Sequence, residues 1–576
     1  TIDAGANAVN LATANNFAGL TVTGDAVTIN NGTHDLTIDS GSSYTSIGAT
    51  GANVTLNNAG TIAIAGISAS GNLSVTATAI TQTGAITANG SGKTATFDAG
   101  GGDVTLTDEG NNFYTTSITG GTIQVTGAGS YFLGNYSVGS ALTARVVSGS
   151  LYQSAALDLA GKTAIFQSDN GGMSLANEGN DFDTISITAA NGSASIKDAN
   201  SIELGAVSVS GGNLTVYALG GTITESGALS VHNDENLALA NFVATGDIVL
   251  TGASNQFDLL KFDGVSVNIM ENGEMAISSA GSNATTLALR ATGNISQSTS
   301  PTGGIRVTGA TTLDASGAEI MLMGGNNNSS AYSSVNDFAT VTIIGANKAF
   351  IGDSNAIDIA GATISGGLTA TTNLYIYADG NTTQSGAITV ANGYALFATG
   401  IINSSKAITL NNPANSFAEM VMLYSKAPGT HDLTLYNSFS GGTAVVSATV
   451  NRTDSTIGVL TLNVPNSNLQ TSFGGMEQPG SAVLIKALNI TCGSESFAGN
   501  LTQAARPWYV YDSASGAPVI TLNVYGSINL TGSVHNRFNK VLILRNGTVY
   551  SINTEIPGSS KTGTTTKDND IVDMNA

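Results

Sequence analysis

Cysteine occurs once in 576 residues, at Cys492, so no disulfide framework is available within the chain. Stability must come from backbone ladders and packing, and the lone thiol reads as a small buried apolar side chain. Charged residues make up only 10% of the sequence, aromatics 6%, and proline and tryptophan number eight and one. That scarcity disfavours a string of β-sandwich modules, which need larger aromatic cores and linkers between domains. No apolar run reaches 18 residues, which excludes a transmembrane helix. Positive charge is also scarce: the formal net charge is −21 with a pI near 4.3, which argues against nucleic acid and anionic membranes as partners. Eight of the Lys and Arg residues lie in the first 400 positions and ten in the last 176, giving the C-terminal part a different surface.

What is abundant is glycine, at 71 residues, with Ala, Thr, Ser and Asn and an alternating Val, Ile and Leu pattern. Leu20/Val22, Val27/Ile29, Leu36/Ile38, Val54/Leu56, Ile62/Ile64 and Leu73/Val75 are apolar pairs two residues apart. Such alternation, bounded by Gly, Asn, Asp and Ser, predicts many short strands with tight turns. No segment carries a helical apolar stripe.

Two phrases recur. Asn-x-Phe stands at Asn15–Phe17, Asn111–Phe113, Asn180–Phe182, Asn255–Phe257, Asn336–Phe338, Asn415–Phe417 and Asn536–Phe538. An apolar-x-Gln/Glu phrase is centred on Gln82, Gln153, Glu225, Gln297 and Gln384, with a looser copy at Gln503. The first four of these are 71, 72 and 72 residues apart. Two markers that drift together at nearly fixed spacing signal an internally duplicated, quasi-linear architecture. The expected fold is all-β, a right-handed parallel β-helix with three or four coils per unit of about 72 residues. At about 4.8 Å per coil, two dozen coils would extend on the order of 120 Å. In that fold the Asn amide is expected to pair with the coil above or below, while the Phe two residues on fills a core corner. Gln82 and its equivalents are expected in turns or ladders.

The expected organisation is a repetitive solenoid over 1–452, irregular terminal coils or a cap over 453–556, and a flexible polar tail over 557–576. Trp508, Tyr509 and Tyr511 are the candidate cap residues, since a solenoid must cover its last core layer. Strand alternation is already running by Leu20, so the start reads as uncapped. More coils upstream, or a second copy stacked there, are expected to cover it.

Units such as Gly71-Asn72-Leu73-Ser74-Val75-Thr76-Ala77 leading to Ile80-Thr81-Gln82-Thr83-Gly84-Ala85-Ile86 resemble the repeats of large bacterial surface proteins of the filamentous haemagglutinin type. So does Gly102-Asp103-Val104-Thr105-Leu106 followed by Gly110-Asn111-Asn112-Phe113. The stretch Arg506 to Asp512 is similar to a segment found where such repeat regions end. The resemblance covers roughly residues 1–450 and implies a β-helix exported to the bacterial cell surface for adhesion, biofilm or filament formation. The family's secretion-domain Asn-Pro-Asn motifs are missing; Asn411-Asn412-Pro413 is a faint echo.

Candidates for chemistry are sparse. Asp181 and Asp183 flank Phe182, and Asp108 and Glu109 are adjacent; a polysaccharide-cleaving β-helix would need such carboxylates beside a base. His34, His232, His431 and His535 are isolated, although His34 and His431 share the phrase Gly-Thr-His-Asp-Leu-Thr. No zinc spacing is present. Ala99-Gly100-Gly101-Gly102-Asp103 lacks the Lys-Ser/Thr of a phosphate loop. Asp568, Asp570 and Asp573 read as a solvated tail. Asn-x-Ser/Thr sequons, as at Asn31, Asn72 and Asn294, follow from composition, and Thr pairs such as Thr21/Thr23 from outward strand positions. No catalytic residue, cofactor or metal is expected. The function expected is that of a non-enzymatic adhesive stalk, with a carbohydrate-binding or polysaccharide-degrading β-helix as the alternative. Expected partners are a second copy stacked end to end and a surface glycan or protein receptor.

Overall fold

A computed structural model describes residues 1–17, 19–39, 42, 44–58, 60–278, 280–297, 303–323, 335–366, 372–399, 405–425, 428–450, 455–475, 484–504, 506, 508–510, 520–530, 540–545, 550–553, 560–563 and 570–573. Among them all regular structure is strand, and no helix is present. The chain divides into two units, Thr1–Asn272 and Gly273–Ala576. Each is a β-solenoid of parallel strands stacked coil upon coil.

In the first unit one column shows how the winding works. Ile62 lies in register with Ile80, Ile80 with Val104, Val104 with Ile123, and Ile123 with Leu142. The column continues through Ala164, Ile185 and Leu204 to Glu225. Every aliphatic residue in it is essentially inaccessible to solvent. Alternation sends each neighbouring side chain outward, so one strand residue in two builds the core. The parallel ladder satisfies each coil's backbone groups with those of the next, and the apolar column removes side chains from water at about 25 cal/mol per Å².

The second unit follows the same rule. Ile343, Ala349, Ile351, Leu374, Ile376, Ala395 and Phe397 are buried along Asp337–Asp353, Thr372–Ala378 and Tyr394–Thr399, which pair in parallel. Beyond residue 452 the winding persists. Ser455–Val464 pairs with Leu484–Cys492, and that strand with Ile520–Val524. Ile520–Val524 in turn pairs with Lys540–Arg545. Among the described strands the direction changes at Ser560–Gly563 and Asp570–Asp573, in the segment expected as a polar tail. These pair antiparallel with Tyr550–Asn553 and Lys540–Arg545.

Candidate functional site

The two recurring phrases meet. In every one of five repeats the Gln or Glu reaches across about one coil to the Asn of Asn-x-Phe. Each Gln or Glu lies in register with a fully buried aliphatic residue of the preceding coil: Ile64, Leu133, Leu204, Ile277 and Ile359. Its side chain is therefore directed to the edge of the core rather than to solvent.

The geometry is a reciprocal amide pair. Asn Nδ2 donates to Gln Oε1 at 3.0 Å for Asn111–Gln82, 3.2 Å for Asn180–Gln153, 2.9 Å for Asn336–Gln297 and 3.0 Å for Asn415–Gln384. Gln Nε2 donates back to Asn Oδ1 in the same four pairs. Asn Oδ1 also accepts the N–H of the strand that follows the Gln. The donors are Ile86, Leu157, Leu229, Ile305 and Ile388, at 2.9–3.1 Å. Asn Nδ2 donates further to main-chain carbonyls, for instance those of Leu175 and Lys197, both at 3.1 Å from Asn180. Asn is suited to this place because a short side chain supplies two donors and an acceptor to three strands at once. All five of these Asn residues are fully buried.

The Phe two positions on is buried in each of the five. Phe113, Phe182, Phe257 and Phe417 meet an aromatic ring of the preceding coil edge-on, at centroid distances of 6.1, 6.0, 5.7 and 6.1 Å. These T-shaped contacts with Phe97, Phe166, Phe242 and Phe397 add directionality to the burial. The first copy differs: Asn15 and Phe17 are only half-buried, and Asn15 bonds main-chain carbonyls of Leu11 and Asn30. Asn536 and Phe538 lie outside the described residues.

Residues not anticipated from sequence complete the turn. The Phe N–H is taken by a side chain of the following coil: Asn31 for Phe17, Asp198 for Phe182, Glu271 for Phe257, Asp353 for Phe338 and Asn437 for Phe417. Asp198, Glu271 and Asp353 are buried carboxyls, and burial raises all three above the ordinary range, Glu271 to about 8 and Asp353 to about 6. Their sequence signal is an acid or amide 14–16 residues after the Phe whose N–H it holds, as at Asn31, Asp198, Glu271 and Asp353, while Asn437 stands 20 residues after Phe417.

The remaining candidates are scattered. Asp181 accepts from Asn200 Nδ2 at 3.3 Å, and Asp183 is exposed. Coil stacking brings Arg145 to Glu109 at 2.7 Å and to Asp169 at 2.5 Å, so Glu109 belongs to a surface ion-pair chain. The shared phrase at His34 and His431 takes two environments, exposed at the first and fully buried at the second. His535, Tyr511 and Asp568 lie outside the described residues. Trp508 is fully buried with its ring 5.3 Å from that of Phe473, and Tyr509–Val510 pairs with Leu484 and Ile485. Among the described residues no group of three His, Cys, Asp or Glu side chains could hold a metal ion.

No curated protein and no solved structure matches the chain. A family model described as repeats of unknown function (DUF5649) matches residues 51–119, 120–189, 191–260, 265–344 and 346–423, more than half of the chain. Each matched repeat contains one whole clasp, from Gln or Glu through Asn to Phe, so the family unit and the physical unit coincide. The chain belongs to this family of repeats of unknown function (DUF5649).

Proposed function

We propose that the chain is a non-enzymatic structural and adhesive protein of the bacterial cell surface, of the filamentous haemagglutinin type, whose outward faces hold a glycan or protein receptor. The observation that carries this reading is the direction of the recurring residues. Asn111, Phe113 and their equivalents are buried and spent on joining coil to coil. What recurs is thus a device for extending a stable surface, and the outward positions are left free to vary. A glycan is the favoured partner. An open groove of about 520 Å³ in the second unit is lined by Ser354, Asn355, Asp379, Asn381, Ser405 and Lys406, which offer hydroxyl, amide, carboxylate and ammonium groups suited to sugar hydroxyls.

The test is a glycan array together with an assay for newly formed reducing ends. Binding without turnover, weakened in Lys406→Ala, is expected. Turnover that is lost in Asp181→Asn or Asp183→Asn would establish the polysaccharide-degrading alternative instead.

A further inference from the structure

One of the five clasps departs from the others in its chemistry. At Asn255 the partner is Glu225 where the other repeats place Gln, and the acceptor for Phe257 N–H is Glu271 where Phe17 and Phe417 use Asn31 and Asn437. Asn255 Nδ2 donates to Glu225 Oε1 at 3.0 Å, and Gly252 N–H donates to the same oxygen. Phe257 N–H donates to Glu271 Oε1 at 2.8 Å. In both glutamates the second oxygen, Oε2, is buried and has no hydrogen-bond partner.

The amide repeats show what belongs at those two positions. With Oε1 in the acceptor place, Glu225 Oε2 takes the place of Gln Nε2, which elsewhere donates to Asn Oδ1. Asn31 and Asn437 each donate Nδ2 to the carbonyl of the Phe whose N–H they accept, both at 3.1 Å. Each orphaned oxygen therefore stands where the fold calls for a donor. A carboxylate has none to give, whereas a carboxylic acid donates one O–H and still accepts on its other oxygen. The two aspartates in the Glu271 position provide the contrast. Asp198 and Asp353 use both oxygens as acceptors, from Phe182 and Asn200 in one case and from Phe338 and Asn355 in the other.

We propose that Glu225 and Glu271 are built into the fold as neutral carboxylic acids, each replacing an amide, and make the Asn255–Phe257 turn a proton-dependent lock. Burial raises both groups, Glu271 to about 8 with Asp258 adding repulsion. Within the unit the other charged groups around the turn are known. His232 bonds Asp258 at 2.6 Å and Asp234 at 2.9 Å. Glu203 and Asp247 lie on or beside the strands flanking Glu225, and Lys261 and Asp263 share Glu271's strand. A raised folded value means the stabilisation is whole below the free value and declines as pH climbs to the folded one. For Glu271 that window runs from 4.5 to about 8. His232, raised by Asp258 and then Asp234, acts in the same direction above its ordinary 6.5. Asp258 is raised by burial but lowered overall, chiefly by the Ala238 N–H and by His232, so it stays ionised across this window.

The experiment is amide hydrogen exchange on the full chain from pH 5 to 9, corrected for intrinsic rates. The amides of Leu229 and Phe257 are compared with those of Ile388 and Phe417 at the Asn415 clasp, where Gln384 and Asn437 are both amides. The ratio is expected to rise by up to about tenfold per pH unit and to level off near pH 8. In E225Q/E271Q only the smaller rise owed to His232, confined to pH above its ordinary 6.5, is expected to remain. Infrared spectra at pH 7, above the value of about 6 for Asp353 and below that of about 8 for Glu271, are expected to show a protonated carboxylic acid band that disappears by pH 9. A flat ratio in the wild type, or an equal rise in the double variant, overturns the proposal. Should the double variant not fold, absence of the acid band from the wild type overturns it.

Discussion

Replacing Asn180 with alanine tests whether the clasp or the apolar column sets coil stability. The side chain satisfies the Leu157 N–H at 3.0 Å and the Leu175 and Lys197 carbonyls at 3.1 Å, besides its pairing with Gln153. An alanine leaves these main-chain groups unpaired in a site closed to solvent. Each orphan costs about 1–3 kcal/mol, and partial relaxation brings the expected local loss to about 3–5 kcal/mol. Truncating Gln153 removes the other half of the pair but leaves those main-chain bonds in place, so Gln153→Ala should cost only about 1 kcal/mol. Because solenoid coils couple mainly to their neighbours, a global melting temperature would dilute the effect, and native-state hydrogen exchange is the suitable assay. In N180A, exchange of the Leu157 amide and along Met173–Leu175 should speed up by about a hundredfold or more, while the Leu229 and Ile388 amides at other clasps change little. Equal effects of N180A and Q153A, or acceleration spread evenly along the chain, would refute the reasoning.

Two further outcomes follow from the packing between coils. A Cβ on Gly84 would enter the van der Waals shell of the Ala65 carbonyl, so Gly84→Ala should cost about 1–3 kcal/mol by local exchange or proteolysis; Gly101→Ala, with open space around it, should cost little. Cys492 is buried, its thiol is pushed up to about 12 by burial, and its Sγ faces the Ser467 and Asn500 carbonyls. Alkylation at pH 8 should therefore be negligible in the native protein and complete in denaturant; rapid native labelling would contradict its placement.

Much of the fold was legible because alternation has one meaning in a half-buried strand. Val27/Ile29, Leu36/Ile38, Val54/Leu56 and Leu73/Val75 all face the core as their spacing predicts. The clasp was legible only as two separate rhythms. Its partners stand 27 to 39 residues apart, and their meeting depends on how many residues each coil spends in turns, which periodicity does not reveal. The buried carboxyls were hidden for a different reason. Asp198, Glu271 and Asp353 occur in Lys-Asp-Ala, Glu-Asn-Gly and Gly-Asp-Ser contexts that read as solvated turns. Their burial follows from the Phe N–H of the preceding coil, which needs an acceptor once the ring is in the core. The hexapeptide shared by His34 and His431 makes the same point: identical local sequence, opposite exposure, decided by what is stacked on it.

The inward direction of the recurring residues also says where a search for a partner should begin. Substitutions at Asn-x-Phe or at its Gln partner change how coils adhere to one another, so loss of binding there would report unfolding of a repeat. The outward columns behave differently. Thr105, Gln124, Thr143, Ile165 and Ser186 occupy one register position on successive coils and change chemical type at nearly every step. Elsewhere the outward ring of Phe132 stacks on Tyr152 at 5.2 Å and meets Tyr114 at a tilt at 5.5 Å, and Lys197 lies over Tyr217. Such local variation on a constant scaffold is how a repeat protein acquires a specific surface. Exposed single substitutions of this kind typically shift stability by about 0.5 kcal/mol or less. Binding losses at outward positions with unchanged exchange at Leu157 and Ile388 would therefore map a receptor site, free of the folding effects that the clasp residues impose.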